Sequence, residues 1–180
     1  MNRYIRRKLL RDIENTIDYW SPNELATTIG HIAQAKFCNY FQQITQIDEN
    51  GFDAIVVMDI TLTLNGKKIT LKKGQKIEIK AKADDFVNSK VLPYDHDKKK
   101  NKYDWLLIYM WDGFDNDRAA IIPHDVFENQ IINTEGAGKS INITPGIRHN
   151  HTNPVYTPLT KLFFEHEIVN LNLLENNGRK

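Results

Sequence analysis

The dipeptide Asn65-Gly66 constrains this chain more than any other feature. Both central residues of a type I′ turn need positive φ, and Asn-Gly supplies it with little strain. The flanking runs have strand character. Phe52 to Leu64 is rich in β-branched and apolar residues, and Lys67 to Lys82 ends with Ile77, Ile79 and Ala81 alternating against Lys76, Glu78, Lys80 and Lys82. A two-residue turn sets Leu64 opposite Lys67, so the numbers of paired residues total 131. That register places Asp53 opposite Glu78, with Cβ atoms ~5 Å apart. Lys80 follows Glu78 on the same face. Asp59 lies ~20 Å further along the strand and is excluded from the cluster. Gly74 is where a bulge would slip the register by one residue.

Two acids and an amine gathered in this way admit two readings. Hard carboxylate oxygens suit Mg²⁺, which keeps several waters and needs few protein ligands. Such a cation polarises a phosphodiester and lowers the pKa of water, and an adjacent lysine stabilises developing negative charge. The other reading is a surface ion pair, Lys80 neutralising Glu78 on an exposed strand.

The remaining chain reads as helices first, then strands, then a helix. Ile5, Leu9, Ile13, Ile17 and Trp20 are spaced for an amphipathic helix over 4–20. Ser21-Pro22-Asn23-Glu24 is a helix start: Ser21 caps, Pro22 takes the first helical position and Glu24 closes a capping box. The helix it opens runs to about Gln42, with Leu25, Ile29, Ala33, Phe37 and Phe41 on one face. Asp48 to Gly51 is expected as a turn, 84–102 as a polar loop, Tyr103 to Trp111 as a buried strand, and Asp112 to Asp117 as a turn. Arg118 to Ile122 is expected as a strand, with Pro123 to Phe127 leading out of it. Residues 133–158, rich in Gly, Asn, Thr and Pro, carry no clear signal, and Thr157 to Leu174 is expected as a final helix. The order gives an α+β or mixed α/β class with a mostly antiparallel sheet. With 180 residues and no linker or repeat, a single domain over 1–180 is expected.

Charge is uneven. The whole chain carries +1, but Lys67 to Lys102 holds twelve lysines against five acids, a local +7. Such a field suits a polyanion as well as it suits a solvated face. The longest apolar run, Trp105 to Trp111, is far short of the ~20 residues a spanning helix needs. The basic start MNRYIRRKLLRD leads into no apolar core or cleavage site, so a cytoplasmic protein is expected. A single cysteine, Cys38, rules out an internal disulfide and a cysteine-based zinc site.

Three stretches together resemble the PD-(D/E)XK nuclease superfamily, and more narrowly its small restriction-endonuclease-like proteins. They are Ile29 to Phe37 (IGHIAQAKF), Gly51 to Val57 (GFDAIVV) and Lys76 to Lys82 (KIEIKAK). In that family a helix precedes the strand bearing the first Asp, a hairpin leads to a strand bearing Glu-x-Lys, and a further apolar strand follows. The resemblance covers roughly residues 21–127. It implies a central mixed sheet flanked by helices, with a β-hairpin bearing the active site. It implies Asp53, Glu78 and Lys80 as catalytic residues, Mg²⁺ (or Mn²⁺) held by Asp53, Glu78 and the Ile79 carbonyl, and hydrolysis of double-stranded DNA. Cutting both strands implies a homodimer. The chain departs from the family in two ways. Phe52 rather than Pro precedes Asp53, and no acid stands at His31 or Gln34, where many relatives carry a helical Glu. Glu24 is the nearest helical acid. The alternative is a DNA-binding protein that keeps the fold without the chemistry.

Gly136-Ala137-Gly138-Lys139-Ser140 lacks the first glycine of a phosphate-binding loop and is soon followed by Pro145, which leaves Lys139 as a phosphate contact in a loop. Arg148 and Asn150 could read base edges, since Arg suits guanine and Asn suits adenine; an ordinary polar loop is the other reading. Lys98, Lys99 and Lys100 are candidates for DNA phosphates, or else a solvated loop. Asp112, Asp115 and Asp117 lack the spacing and terminal Glu of a calcium loop.

Overall fold

The first helix, α1 (Pro22–Tyr40), sets Ile32, Ala33 and Phe37 on one buried stripe, which Phe41 continues just past its end. That stripe needs an apolar surface to cover, and the β-rich centre of the chain supplies one. This computed structural model describes residues 22–49, 51–83, 90–93, 102–111, 118–132, 140–142 and 158–169. The expected helix over 4–20, the turn Asp112 to Asp117, Lys98 to Lys100, Lys139, Arg148 and Asn150 lie outside them, as do Ser21 and the side chain of Glu24.

The strands are β1 (Ile44–Glu49), β2 (Phe52–Val56), β3 (Ile60–Leu64), β4 (Lys67–Leu71), β5 (Lys76–Ala83), β6 (Lys90–Pro93), β7 (Trp105–Trp111), β8 (Arg118–Pro123) and β9 (Ser140–Asn142). A short helix α2 (His124–Phe127) runs into a π-type turn (Glu128–Ile132), and α3 is Pro158–Glu165. The central sheet has the order β1-β2-β5-β7-β8. Its β5–β7 pair is parallel and its other pairs are antiparallel, so the class is α+β with a mixed sheet. Among the described residues no helix is long and apolar enough to cross a membrane.

The two long strands expected either side of Asn65-Gly66 are each broken in two. β2 and β5 belong to the central sheet, whereas β3 and β4 form a two-stranded arm. The cause is local. Asp59 accepts the Lys73 backbone N–H (2.8 Å) and the Lys72 ammonium (2.9 Å), Gln75 Oε1 accepts the Lys72 N–H (2.7 Å), and Gly74 adopts φ +89°. Side chains thus take the place of ladder partners and the ribbon bends. The register survives the bend. Leu64 pairs with Lys67 and Ile60 with Leu71 in the arm, and Ala54 pairs with Ile77 in the sheet, all totalling 131. Gly74 turns the chain without adding a residue to either side.

The arm folds back because one of its faces is apolar. Leu62, Leu64 and Leu71 join Phe37, Ala54, Val56, Ile77, Ile79, Leu107, Tyr109 and Ile121 in a first core beneath α1. Each large aliphatic or phenylalanine side chain among them contributes about 1.5–3 kcal/mol on burial. A second core, on the other side of β7 and β8, collects Leu106, Ile108, Ala120 and Ile122 with Phe127, Leu162 and Phe163.

Further expectations are corrected. The last helix ends at Glu165 rather than Leu174, and 166–169 becomes a strap. The strap donates Ile168 N–H to Ala119 and Val169 N–H to Thr63, and accepts Asn65 N–H at Glu167, so it joins β8 to the arm. Arg118 fixes it with two bonds to Glu167, at 2.5 and 2.6 Å. Asp48 and Glu49 lie in β1, a strand the sequence reading did not anticipate. The expected loop 84–102 contains β6, paired with β9 from the stretch that carried no signal. The helix expected to reach Gln42 stops at Tyr40.

Candidate active site

Asp53 sits at an irregular point of the sheet. β1 pairs Gln46 with Ala54 and Glu49 with Phe52, so two β1 residues, Ile47 and Asp48, face Asp53 alone. A two-against-one bulge increases local twist and re-aims the opposed side chain. On the other flank, the β2–β5 pairing reaches Ala54 and Ile77. Beyond it, Asp53 Oδ2 accepts the backbone N–H of Ile79 at 2.7 Å. A side chain thereby replaces a ladder bond, and the first acid is fixed against the backbone of the Glu-x-Lys strand.

Its other oxygen is held by the helix. Gln34 Nε2 donates to Asp53 Oδ1 at 2.9 Å, and Gln46 Nε2 donates to Gln34 Oε1 at 3.1 Å. The second bond sets which end of the Gln34 amide faces the acid. Gln34 is thus a site residue that sequence reading noted only as the place of a missing acid. Its position on α1 was the available signal; its amide chemistry hid it.

Glu78 and Lys80 meet directly. Ile77 and Ile79 enter the first core, so the intervening Glu78 and Lys80 point to the other side of β5, level with Leu106 and Ile108 of β7. Lys80 Nζ lies 2.5 Å from Glu78 Oε1. The Glu78 side chain is 1% exposed and that of Lys80 23%, so this is no exposed surface ladder. Separating a buried pair by removing one partner costs roughly 3–5 kcal/mol, less where one member keeps some water.

The main-chain groups of β5 alternate in direction. Lys76 exchanges bonds with residue 104 on the β7 side: its N–H donates to Asp104 Oδ2 (2.7 Å) and its carbonyl accepts the Asp104 N–H (2.9 Å). Ile79, three residues on, turns its N–H towards β2 and Asp53. In a strand the N–H and C=O of one residue point the same way, so the Ile79 carbonyl faces Asp53's side as well.

Cys38 lies one helical turn beyond Gln34. Burial, and then the negative charge of Asp53, push its thiol up to about 12. It is therefore held protonated and unreactive. Asp59 keeps apart from this group, as expected, and its carboxyl lies below the usual range because of the Lys73 N–H and then Lys72. Among the described residues no group of three or more His, Cys, Asp and Glu is gathered as a metal cage.

No protein-family model matches the chain, and neither does any curated protein or solved structure.

Proposed function

We propose that this chain is a Mg²⁺-dependent endodeoxyribonuclease with a restriction-endonuclease-like fold, hydrolysing phosphodiester bonds of double-stranded DNA as a cytoplasmic homodimer. One observation carries the reading. The 131 register runs through both arm and sheet, and beyond its last sheet pair Asp53 is bonded to the backbone of the strand that bears the Glu78–Lys80 pair. The order of elements supports it: a helix, the Asp strand, a hairpin, the Glu-x-Lys strand, then the apolar strand β7.

By donor chemistry the set suits a hard cation, although Asp53 is held from the α1 side and Glu78 points to the other side of β5. Two carboxylates and a carbonyl are oxygen donors, and the set with Lys80 carries one net negative charge. Asp53, Glu78 and the Ile79 carbonyl would hold Mg²⁺ or Mn²⁺, which when bound supplies Lewis-acid polarisation of the phosphodiester and a more acidic water. Gln34 and the Ile79 N–H keep the Asp53 carboxylate in place. Lys80 donates a hydrogen bond where negative charge grows on the phosphate. Lys98, Lys99, Lys100, Lys139, Arg148 and Asn150 remain candidates for DNA contact.

Nicking of supercoiled plasmid in Mg²⁺ tests the reading. Asp53→Ala and Lys80→Ala are each expected to lower the rate at least ~100-fold, the scale of losing one electrostatic or acid–base group. Equal rates in all three proteins would remove the assigned roles.

A second reading has its own observation. Both Asp53 oxygens already accept protein hydrogen bonds, and Glu78 Oε1 is engaged by Lys80. Oxygens engaged in this way favour the alternative of a non-catalytic DNA-binding protein that keeps the fold. Duplex binding without cleavage in Mg²⁺ or Mn²⁺, unaffected by Asp53→Ala, would select it.

A further inference from the structure

The turn that presents Asp53 is flanked by two lysines with no assigned role. Lys76 Nζ stands 4.9 Å from the centre of the Phe52 ring, the residue immediately before Asp53. The stem of Lys102 lies across Gly51, so closely that a Cβ there would come within 2.5 Å of Lys102 Cδ and 2.9 Å of Lys102 Cβ. Gly51 also has φ +115°, a second reason for glycine at this position. A bare backbone thus gives one lysine its track, and an aromatic face seats the other.

Most described cations near the sheet have partners. Lys72 pairs with Asp59, Lys80 with Glu78, Arg118 with Glu167, and Lys67 bonds His166. Among the described residues neither the Lys76 nor the Lys102 ammonium is in an ion pair. The adjacent acid, Asp104, gives Oδ2 to the Lys76 backbone N–H. Both stems are placed before any ligand arrives, which reduces the side-chain entropy lost on binding.

We propose that Lys76 and Lys102 form a phosphate-binding rim around residues 51–53 that grips the backbone of a DNA duplex. The inference rests on the nuclease reading for the choice of DNA, but the rim is tested by binding alone. Ammonium groups on stems held at Phe52 and Gly51 would contact backbone phosphates and carry no base information.

The test is fluorescence anisotropy of the full chain with a labelled 20-base-pair duplex in EDTA, titrated from 50 to 200 mM KCl. Each phosphate contact contributes about 0.9 to the slope of log affinity against log salt. Lys76→Gln and Lys102→Gln are each expected to lower the slope by about that amount, and affinity at 100 mM salt by roughly eightfold. Lys76→Arg and Lys102→Arg keep the charge and are expected to keep the slope, which separates charge from packing. Lys72→Gln, at a lysine already paired with Asp59, is the control and is expected to leave it unchanged. An unchanged slope in either Gln variant, or no duplex binding by the wild type, overturns the rim. Rim-dependent binding without plasmid nicking in Mg²⁺ keeps the rim and removes the nuclease. Nicking with unchanged slopes does the reverse.

Discussion

At the scale of single residues, the chain uses each polar group near Asp53 to hold another. Gln46 orients Gln34, Gln34 and the Ile79 N–H hold Asp53, and the charge on Asp53 adds to burial in keeping Cys38 protonated. This makes Cys38 an internal reporter. With its thiol near 12, only about one molecule in ten thousand is thiolate at pH 8, against a sizeable fraction in the unfolded chain. Alkylation by iodoacetamide at pH 8 is expected to be at least ~100-fold slower in native protein than in urea. Asp53→Asn is expected to speed the native reaction, because it removes one of the two causes. An unchanged rate would show that the acid's charge does not reach the thiol.

At the scale of elements, the turn and the strap decide the shape. Gly66 has φ +77°, which an L side chain adopts at a cost of roughly 1–2 kcal/mol, and open space surrounds it. Gly66→Ala is therefore expected to destabilise by about 1 kcal/mol through backbone strain alone. The urea midpoint should fall with an unchanged slope, and an unshifted midpoint would count against the turn type. The hairpin was legible in the sequence because turn chemistry acts over four residues. The bend at 57–59 and 72–75 was not. Asp59 and Gln75 read as ordinary polar residues, and they divert backbone donors only once the two strands lie side by side. The strap departs from the helix that its spacing predicts for a similar reason. Residues after Glu165 keep helical spacing in sequence, yet their main-chain groups find better partners on Ala119, Thr63 and Asn65.

At the scale of the whole molecule, the strap closes the arm onto β8, and a buried histidine sits at its start. His166 Nδ1–H donates to the Leu162 carbonyl (3.0 Å) and its Nε2 accepts from Lys67 (3.2 Å). Burial lowers its pKa, the Leu162 carbonyl pulls it up, Lys67 pushes it down and Glu165 pulls it up, with a net fall. The unfolded chain regains the ordinary value of about 6.5. As pH drops through that value the unfolded state takes up a proton that the folded state refuses, so stability falls. Above it, both states are neutral and this group contributes no pH dependence. Urea midpoints are expected to decline between about pH 7 and pH 5.5 in the wild type, and less steeply in His166→Asn. Equal slopes would mean that the ring takes up its proton as readily in the folded protein as in the unfolded chain.

Short-range chemistry in the sequence set the hairpin, its register, the α1 stripe, the apolar strand β7 and the pairing of Glu78 with Lys80 on one face. Each follows from spacings of two to four residues, or from counting outward from one turn. Tertiary structure alone decided where the ribbon bends, that a bulge in β1 re-aims Asp53, that Gln34 meets it, and that residues 166–169 form a strap. Those outcomes depend on polar groups competing for partners far apart in the chain, and that competition begins only when the strands and α1 are already packed together.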